Sequence, residues 1–164
     1  MTGRTLSTHA APFSNSMRGW HYAKNPLRLF FNVTILLLCY WMPSLKLKNA
    51  LYRLMGAKIA PDASIAACVT LDFFFPELIE IGDDSVIGFG STILAHEFLV
   101  GEWRTGRTSI GKRTLVGANS TVLAGVEIGN GCVINAMTLV NKNVPDKSYA
   151  EGVPCRIGRK RKGK

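Results

Sequence analysis

The chain has 164 residues, 47% of them hydrophobic, which suits one domain with terminal extensions. Twenty Lys and Arg against eleven Asp and Glu leave a net charge of +9, so an anionic partner is expected. Cys39, Cys68, Cys132 and Cys155 show no CxxC spacing; this excludes a disulfide framework and fits a reducing, cytoplasmic setting.

Residues 1–25 are polar, rich in Gly, Ser and Thr, and carry no hydrophobic period, so a loosely ordered terminus is expected. Residues 26–56 read as two helices. The first, Leu27 to Met42, is interrupted only by Arg28, Asn32 and Thr34 and is stopped by Pro43. It falls short of the roughly 20 apolar residues of a membrane span, so burial against a partner subunit or a place in a membrane interface is expected ahead of spanning. In the second, Ser44 serves as amino-terminal cap and Gly56 as stop. Leu47, Ala50, Leu51, Leu54 and Met55 fall on one stripe, with Lys46, Lys48 and Arg53 along its flanks. That pattern fits a lid on the open end of a repeat domain, a basic helix on a membrane surface, or both.

Residues 57–158 obey a different rule. From Ile110 an aliphatic residue returns at every sixth position, through Val116, Val122, Ile128, Ile134 and Val140, and the same phase holds at Ile59, Ile65 and Leu71 and at Ile81, Ile87 and Ile93. Four places after most of these stands a small or β-branched residue, such as Ser85, Thr114, Ser120 or Cys132. Neither a helix at 3.6 nor a simple strand at 2 keeps that register, so the segment is mainly β, a parallel β-helix of short strands and turns whose stacking supplies the core. Two slips mark insertions, near Phe73 to Glu80 and across residues 95–109. Insertions in a solenoid map to a functional face.

Of three histidines, His9 and His21 lie in the amino-terminal extension and His96 alone lies in the repeat domain, at the mouth of the larger insertion. Imidazole is the side chain best placed to take a proton from a hydroxyl or amine near neutral pH. A zinc site on such a fold needs several converging histidines, so no metal is expected. The tail 159–164 is basic, yet nothing near it offers aromatic interleaving or a helix-turn-helix. A phosphorylated cofactor or an anionic membrane surface therefore suits it better than nucleic acid.

The repeat, Ile93 to Glu97 with its histidine, the loop, Ile110-Gly-Lys, Val116-Gly-Ala, Val140 to Pro145 and Gly152 to Arg156 together resemble the hexapeptide-repeat acyltransferases, closest to the maltose and galactoside O-acetyltransferases. The resemblance covers about residues 57–159. It implies a left-handed β-helix, a homotrimer with active sites between subunits, and acetyl-CoA as donor. It also implies that His96 is the general base in a direct attack on the thioester. Ala118 and Ala136 match positions that contact the pantetheine arm, Asn141 and Lys142 a Thr-Lys pair near the far end of the cofactor, and Arg156 and Arg159 residues that meet its 3′-phosphate. The stretch before His96 is shorter than in the sugar enzymes, so the family's acceptor residues have no counterparts here. Asp72, before Phe73, Phe74 and Phe75, is a candidate for the acceptor hydroxyl, or a turn residue; Glu97 is a second acceptor candidate, and Glu97 and Glu102 either orient His96 or face water. With the apolar helix and the aromatic cluster, the expected acceptor is a glycan or lipid-linked intermediate, handled by a cytoplasmic enzyme with peripheral membrane contact. The alternative is a non-catalytic, structural β-helix trimer.

Overall fold

A computed structural model describes residues 3–159, apart from the side chain of Arg159; the basic tail beyond lies outside the described residues. Four coils make up the body. The first carries β2 (Lys58–Ile59), β3 (Ser64–Ile65) and β4 (Thr70–Leu71), and the second β5 (Ile79–Ile81), β6 (Val86–Ile87) and β7 (Thr92–Ile93). The third carries β10 (Thr108–Ile110), β11 (Leu115–Val116) and β12 (Thr121–Val122), and the fourth β13 (Glu127–Ile128), β14 (Val133–Ile134) and β15 (Leu139–Val140). Equivalent strands pair in parallel into three sheets, β2-β5-β10-β13, β3-β6-β11-β14 and β4-β7-β12-β15. The second sheet is extended by β16 (Ser148–Glu151) and by β17 (Arg156–Arg159), which returns antiparallel.

The sixfold aliphatics form the interior. Ile81 pairs with Ile110, Ile87 with Val116 and Ile93 with Val122, and all are buried. Each contributes on the order of 2 kcal/mol by leaving water, which no isolated coil obtains. The small residues four places on are buried too, and their hydroxyls bond from coil to coil. Ser91 Oγ donates to Gly117 O at 3.0 Å, Thr114 Oγ1 to Gly129 O at 2.8 Å and Ser120 Oγ to Asn135 O at 3.0 Å. Buried hydroxyls need such acceptors, and the turn carbonyls supply them. Glycine recurs just after the aliphatic position because the coils touch there: a Cβ on Gly117 would lie 2.5 Å from Ala136 N.

The amino-terminal segment departs from expectation. Ser7–Asn15 forms a nine-residue strand, β1, followed by a 3-10 turn (Ser16–Gly19) and the short helix α1 (Trp20–Ala23). The larger insertion is a hairpin of β8 (His96–Phe98) and β9 (Val100–Thr105), and β1 runs antiparallel along the free edge of β9, with His9 opposite Trp103. The segment is thus ordered, not loose. Its order comes from satisfying an exposed β-edge, which leaves no apolar period because both faces of β1 stay largely open to solvent.

Two longer helices close the first-coil end of the body: α2 (Pro26–Tyr40), capped by Asn25, and α3 (Leu45–Met55), capped by Ser44 and ended by Gly56 at φ 111°. The face that α3 turns inward is mixed: Met55 of the expected stripe is buried and Leu51 packs against the core, beside a set of polar donors. Lys48 Nζ donates to Ile65 O and Ala66 O, each at 3.1 Å, Asn49 Nδ2 to Ala63 O at 2.7 Å, Tyr52 OH to Val69 O at 3.1 Å and Arg53 Nε to Ile59 O at 2.8 Å. The first coil has no coil beneath it to receive these carbonyls, so α3 supplies donors in its place. This corrects the expected basic flank. Lys48 is buried, and desolvation lowers its pKa, while Leu47 and Leu54 of the expected inward stripe are more than half exposed. No helix among the described residues is long and apolar enough to cross a membrane.

Candidate active site

His96 stands where the chain leaves the third sheet after β7. One coil below, β4 ends at Leu71, in register with Ile93, so Asp72 lies directly under the departure point, its N–H donating to Ile93 O at 2.9 Å. The Asp72 carboxylate is fully buried and accepts five hydrogen bonds. Oδ1 takes Phe74 N at 2.9 Å and Phe75 N at 3.0 Å; Oδ2 takes Ala95 N at 2.7 Å, His96 N at 3.0 Å and His96 Nδ1 at 2.5 Å. Four backbone donors anchor the carboxylate, and the fifth bond locks the ring. With Nδ1 donating to Asp72, Nε2 carries the lone pair, and it makes no hydrogen bond among the described residues. The side chain keeps 13% of its surface exposed, which leaves one edge reachable.

Aromatic rings enclose the rest of it. Phe74 and Phe98 have ring centroids 4.7 Å and 5.0 Å from that of His96, and Phe75 lies at 5.8 Å. Phe75 stacks on Trp103 at 5.6 Å, and His9 of β1 stacks on the indole at 4.0 Å. His9 Nε2 also bonds Thr105 Oγ1 at 3.0 Å. The amino-terminal strand therefore buttresses the wall beside His96, a part that the sequence reading left out.

Asp72 is thus not an acceptor-facing residue. Buried and fully bonded, it has no lone pair to offer a substrate; it is the partner that orients His96 and at the same time the turn residue opening the segment before the 3-10 turn Pro76–Leu78. Glu97 does not bond the imidazole. It is ion-paired to Arg4, whose guanidinium also donates to Ala124 O at 3.2 Å. Glu102 pairs with Arg104 on the same strand. A sequence signal for Asp72 did exist: aligning the first two coils on Leu71 and Ile93 sets Asp72 against Leu94, two residues before His96.

Ala118 and Ala136 stack on adjacent coils at the turn between the second and third sheets, where Met137 N donates to Ala118 O at 2.9 Å. A Cβ on Gly88 would come within 2.6 Å of Ala118 N, so backbone is laid on backbone along that edge. Ala136, Lys142 and Arg156 line one cleft of about 700 Å³ together with Gly152 to Cys155. Asn141 Oδ1 accepts from Cys155 Sγ at 3.6 Å, which ties the fourth coil to the wall of that cleft. Arg156 is exposed at the start of β17, and the side chain of Arg159 lies outside the described residues. His96 is not part of the cleft. It follows β7, whereas Ala118 precedes β12 of the same sheet, so one chain holds the two features at opposite margins of the sheet β4-β7-β12-β15.

A profile described as the hexapeptide repeat of succinyl-transferase matches residues 107–140. The Bacillus subtilis protein named "Putative acetyltransferase YvoF" is 40% identical over 157 residues, covering 94% of this chain and 90% of that protein. Among solved structures, a galactoside acetyltransferase in complex with coenzyme A superposes with a TM-score of 0.62 at 23% identity, over 82% of this chain and 81% of that one. AntD, an N-acyltransferase from Bacillus cereus also solved with coenzyme A, superposes with a TM-score of 0.56 at 29% identity, over 63% of this chain and 64% of its own. An aliphatic beat of six residues, three parallel sheets and a relative at this identity along nearly the whole length lead to one conclusion: the chain belongs to the hexapeptide-repeat acetyltransferases, and its fold is their left-handed parallel β-helix.

Proposed function

We propose that the protein moves an acetyl group from acetyl-CoA to a hydroxyl of a glycan or lipid-linked acceptor, with His96 as general base. The observation that carries this is the Asp72–His96 pair: a buried carboxylate holds Nδ1 as donor and leaves Nε2 a free acceptor at an aromatic-walled edge. Nε2 takes the proton of the acceptor hydroxyl as its oxygen bonds to the thioester carbonyl carbon. When the carbon–sulfur bond breaks, Nε2 returns that proton to the departing sulfur, so His96 ends as it began, beside an ester and free CoA. The Asp72 carboxylate balances the charge that the ring carries in between. A purely structural β-helix has no use for such a pair.

The residues present fit the donor. Ala118 and Ala136 offer an edge of bare backbone for the pantetheine arm, and Lys142 and Arg156 bring two cations to the cleft where its phosphates would lie. Arg159 is proposed for the 3′-phosphate on the resemblance alone. Because His96 and the Ala118 margin sit on opposite sides of one sheet, a second copy must bring them together, which supports a homotrimer with sites between subunits.

The test is thiol release from acetyl-CoA with hydroxyl and amine acceptors supplied in parallel. An ester product, cleaved by mild alkali, is expected. An amide would move the protein toward the chemistry of AntD, a second reading that its similarity to that N-acyltransferase favours. His96→Ala is expected to lose about 10²-fold to 10⁴-fold in rate with CoA binding retained. A loss below threefold, roughly, would falsify the base assignment.

A further inference from the structure

The first 61 residues contain eight Lys and Arg and no Asp or Glu. They also hold twelve of the nineteen large hydrophobic side chains that stand exposed among the described residues. On α2 these form a single stripe: Leu27, Phe30, Phe31, Leu37, Leu38 and Trp41, at helical spacing, with Leu27, Phe30 and Trp41 each at least three-quarters exposed. The opposite face, with Asn32, Ile35, Leu36 and Cys39, is buried against the coil end, and Asn32 Nδ2 donates to Phe73 O at 2.8 Å. Thr34 is the one uncharged polar residue in the stripe, and its hydroxyl is already bonded to Phe30 O at 2.9 Å. The stripe thus presents no unsatisfied hydroxyl to an apolar phase.

Cations stand along its margin: Arg28 of α2 and Lys46 of α3 are exposed, and the guanidinium of Arg28 lies over the Phe31 ring at 5.2 Å, whereas Arg53 and Lys58 share a separate cleft with Glu80 and Asp83. The nearest acid in these contacts, Glu77, is ion-paired with Lys24 at 2.6 Å. A second copy of the chain would bring the same cations against these, whereas an anionic bilayer meets both the apolar stripe and its basic margin. A helix of fifteen residues that cannot span but carries a tryptophan at one end and arginine near the other is suited to lie in the headgroup layer.

We infer that the outer face of α2, with its basic margin, docks on an anionic membrane surface. This goes beyond the transfer chemistry and stands without it, because binding is read with no acetyl donor present.

The full chain is floated with phosphatidylcholine vesicles, with and without phosphatidylglycerol, at low and high salt, while light scattering follows the assembly mass. Expected are flotation with the anionic vesicles at low salt, a blue shift of fluorescence that Trp41→Phe abolishes, and weakening of roughly fivefold for Lys46→Glu. A paired Phe30→Glu and Leu37→Glu variant should lose flotation and keep its assembly mass and melting temperature. Absence of flotation with anionic vesicles at low salt overturns the inference. So does a loss of assembly mass in the paired variant, which would assign the face to contacts between copies of the chain.

Discussion

Asp72 Oδ2 lies 2.5 Å from His96 Nδ1, although 24 residues separate them in the chain, because each follows the last strand of its own coil and the coils are stacked. Asp72→Asn keeps the shape but removes the charge and turns one acceptor into a donor that faces Ala95 N, His96 N or the ring. The expected result is a fall in kcat of about 10²-fold or more with the KM for acetyl-CoA within roughly threefold of wild type. Asp72→Ala additionally strands four backbone N–H groups and should cost about 2–5 kcal/mol of stability in chemical denaturation.

Lys142 and Arg156 share a solvent-filled cleft, so each contributes a screened attraction to a phosphate. Lys142→Ala and Arg156→Ala are each expected to raise the KM for acetyl-CoA roughly fivefold to tenfold at low salt, with kcat little changed. The gap from wild type should narrow at high salt. Steady-state kinetics at two ionic strengths checks this.

Gly117→Ala places a methyl 2.5 Å from Ala136 N, a backbone atom flanked by the bonded amides of Asn135 and Met137. No side chain can turn aside to relieve it. A loss of at least the roughly 1–3 kcal/mol of an overpacked core is expected, read as a lower urea midpoint. An unchanged midpoint would show that the third and fourth coils are less tightly stacked than this contact requires.

Burial raises the Cys39 thiol from 9.0 to about 11, and it raises the Tyr52 phenol as well. Each group holds its proton more tightly folded than unfolded. Their stabilisation is complete below the unfolded pKa and is lost as pH rises through the folded one, for Cys39 between pH 9 and about 11. Two pH units correspond to roughly 2–3 kcal/mol as an upper bound. Lys48, whose pKa is lowered, acts in the opposite sense below its ordinary value and offsets part of the loss. The melting temperature of wild type should fall over this range, and Cys39→Ala, lower at neutral pH, should fall less steeply.

Deleting residues 3–15 removes β1, frees the edge of β9, breaks the Arg4–Glu97 pair and strips His9 from Trp103. Acceptor KM is expected to rise more than the KM for acetyl-CoA, since the lost buttress stands beside His96 and not beside Ala136. Product assays with each substrate varied in turn distinguish the two.

How much of this was legible beforehand depends on whether the information was local and periodic. Ile110, Val116 and Val122 announce the coil because each six-residue strand-and-turn unit must bury one aliphatic side chain, and the same beat locates His96 at the larger of the two places where the chain steps out. Ser44 and Gly56 mark the ends of α3 for an equally local reason, the backbone groups of its first and last turns. Contacts between segments of different register were hidden. Asp72 looked like a turn residue because its partners become neighbours only when the second coil is laid on the first. The strand at Ser7–Asn15 has no pattern of its own; it exists because β9 offers an edge of unpaired N–H and C=O groups. By pattern Lys48 belongs outside, yet the bare carbonyls of the first coil draw its ammonium inward; Arg53 stays exposed and turns only its Nε to Ile59 O. Periodicity reports which side chains leave water. The partner that each buried polar group finds is decided only when distant segments are brought together, because leaving such a group unpaired costs more than any local preference returns.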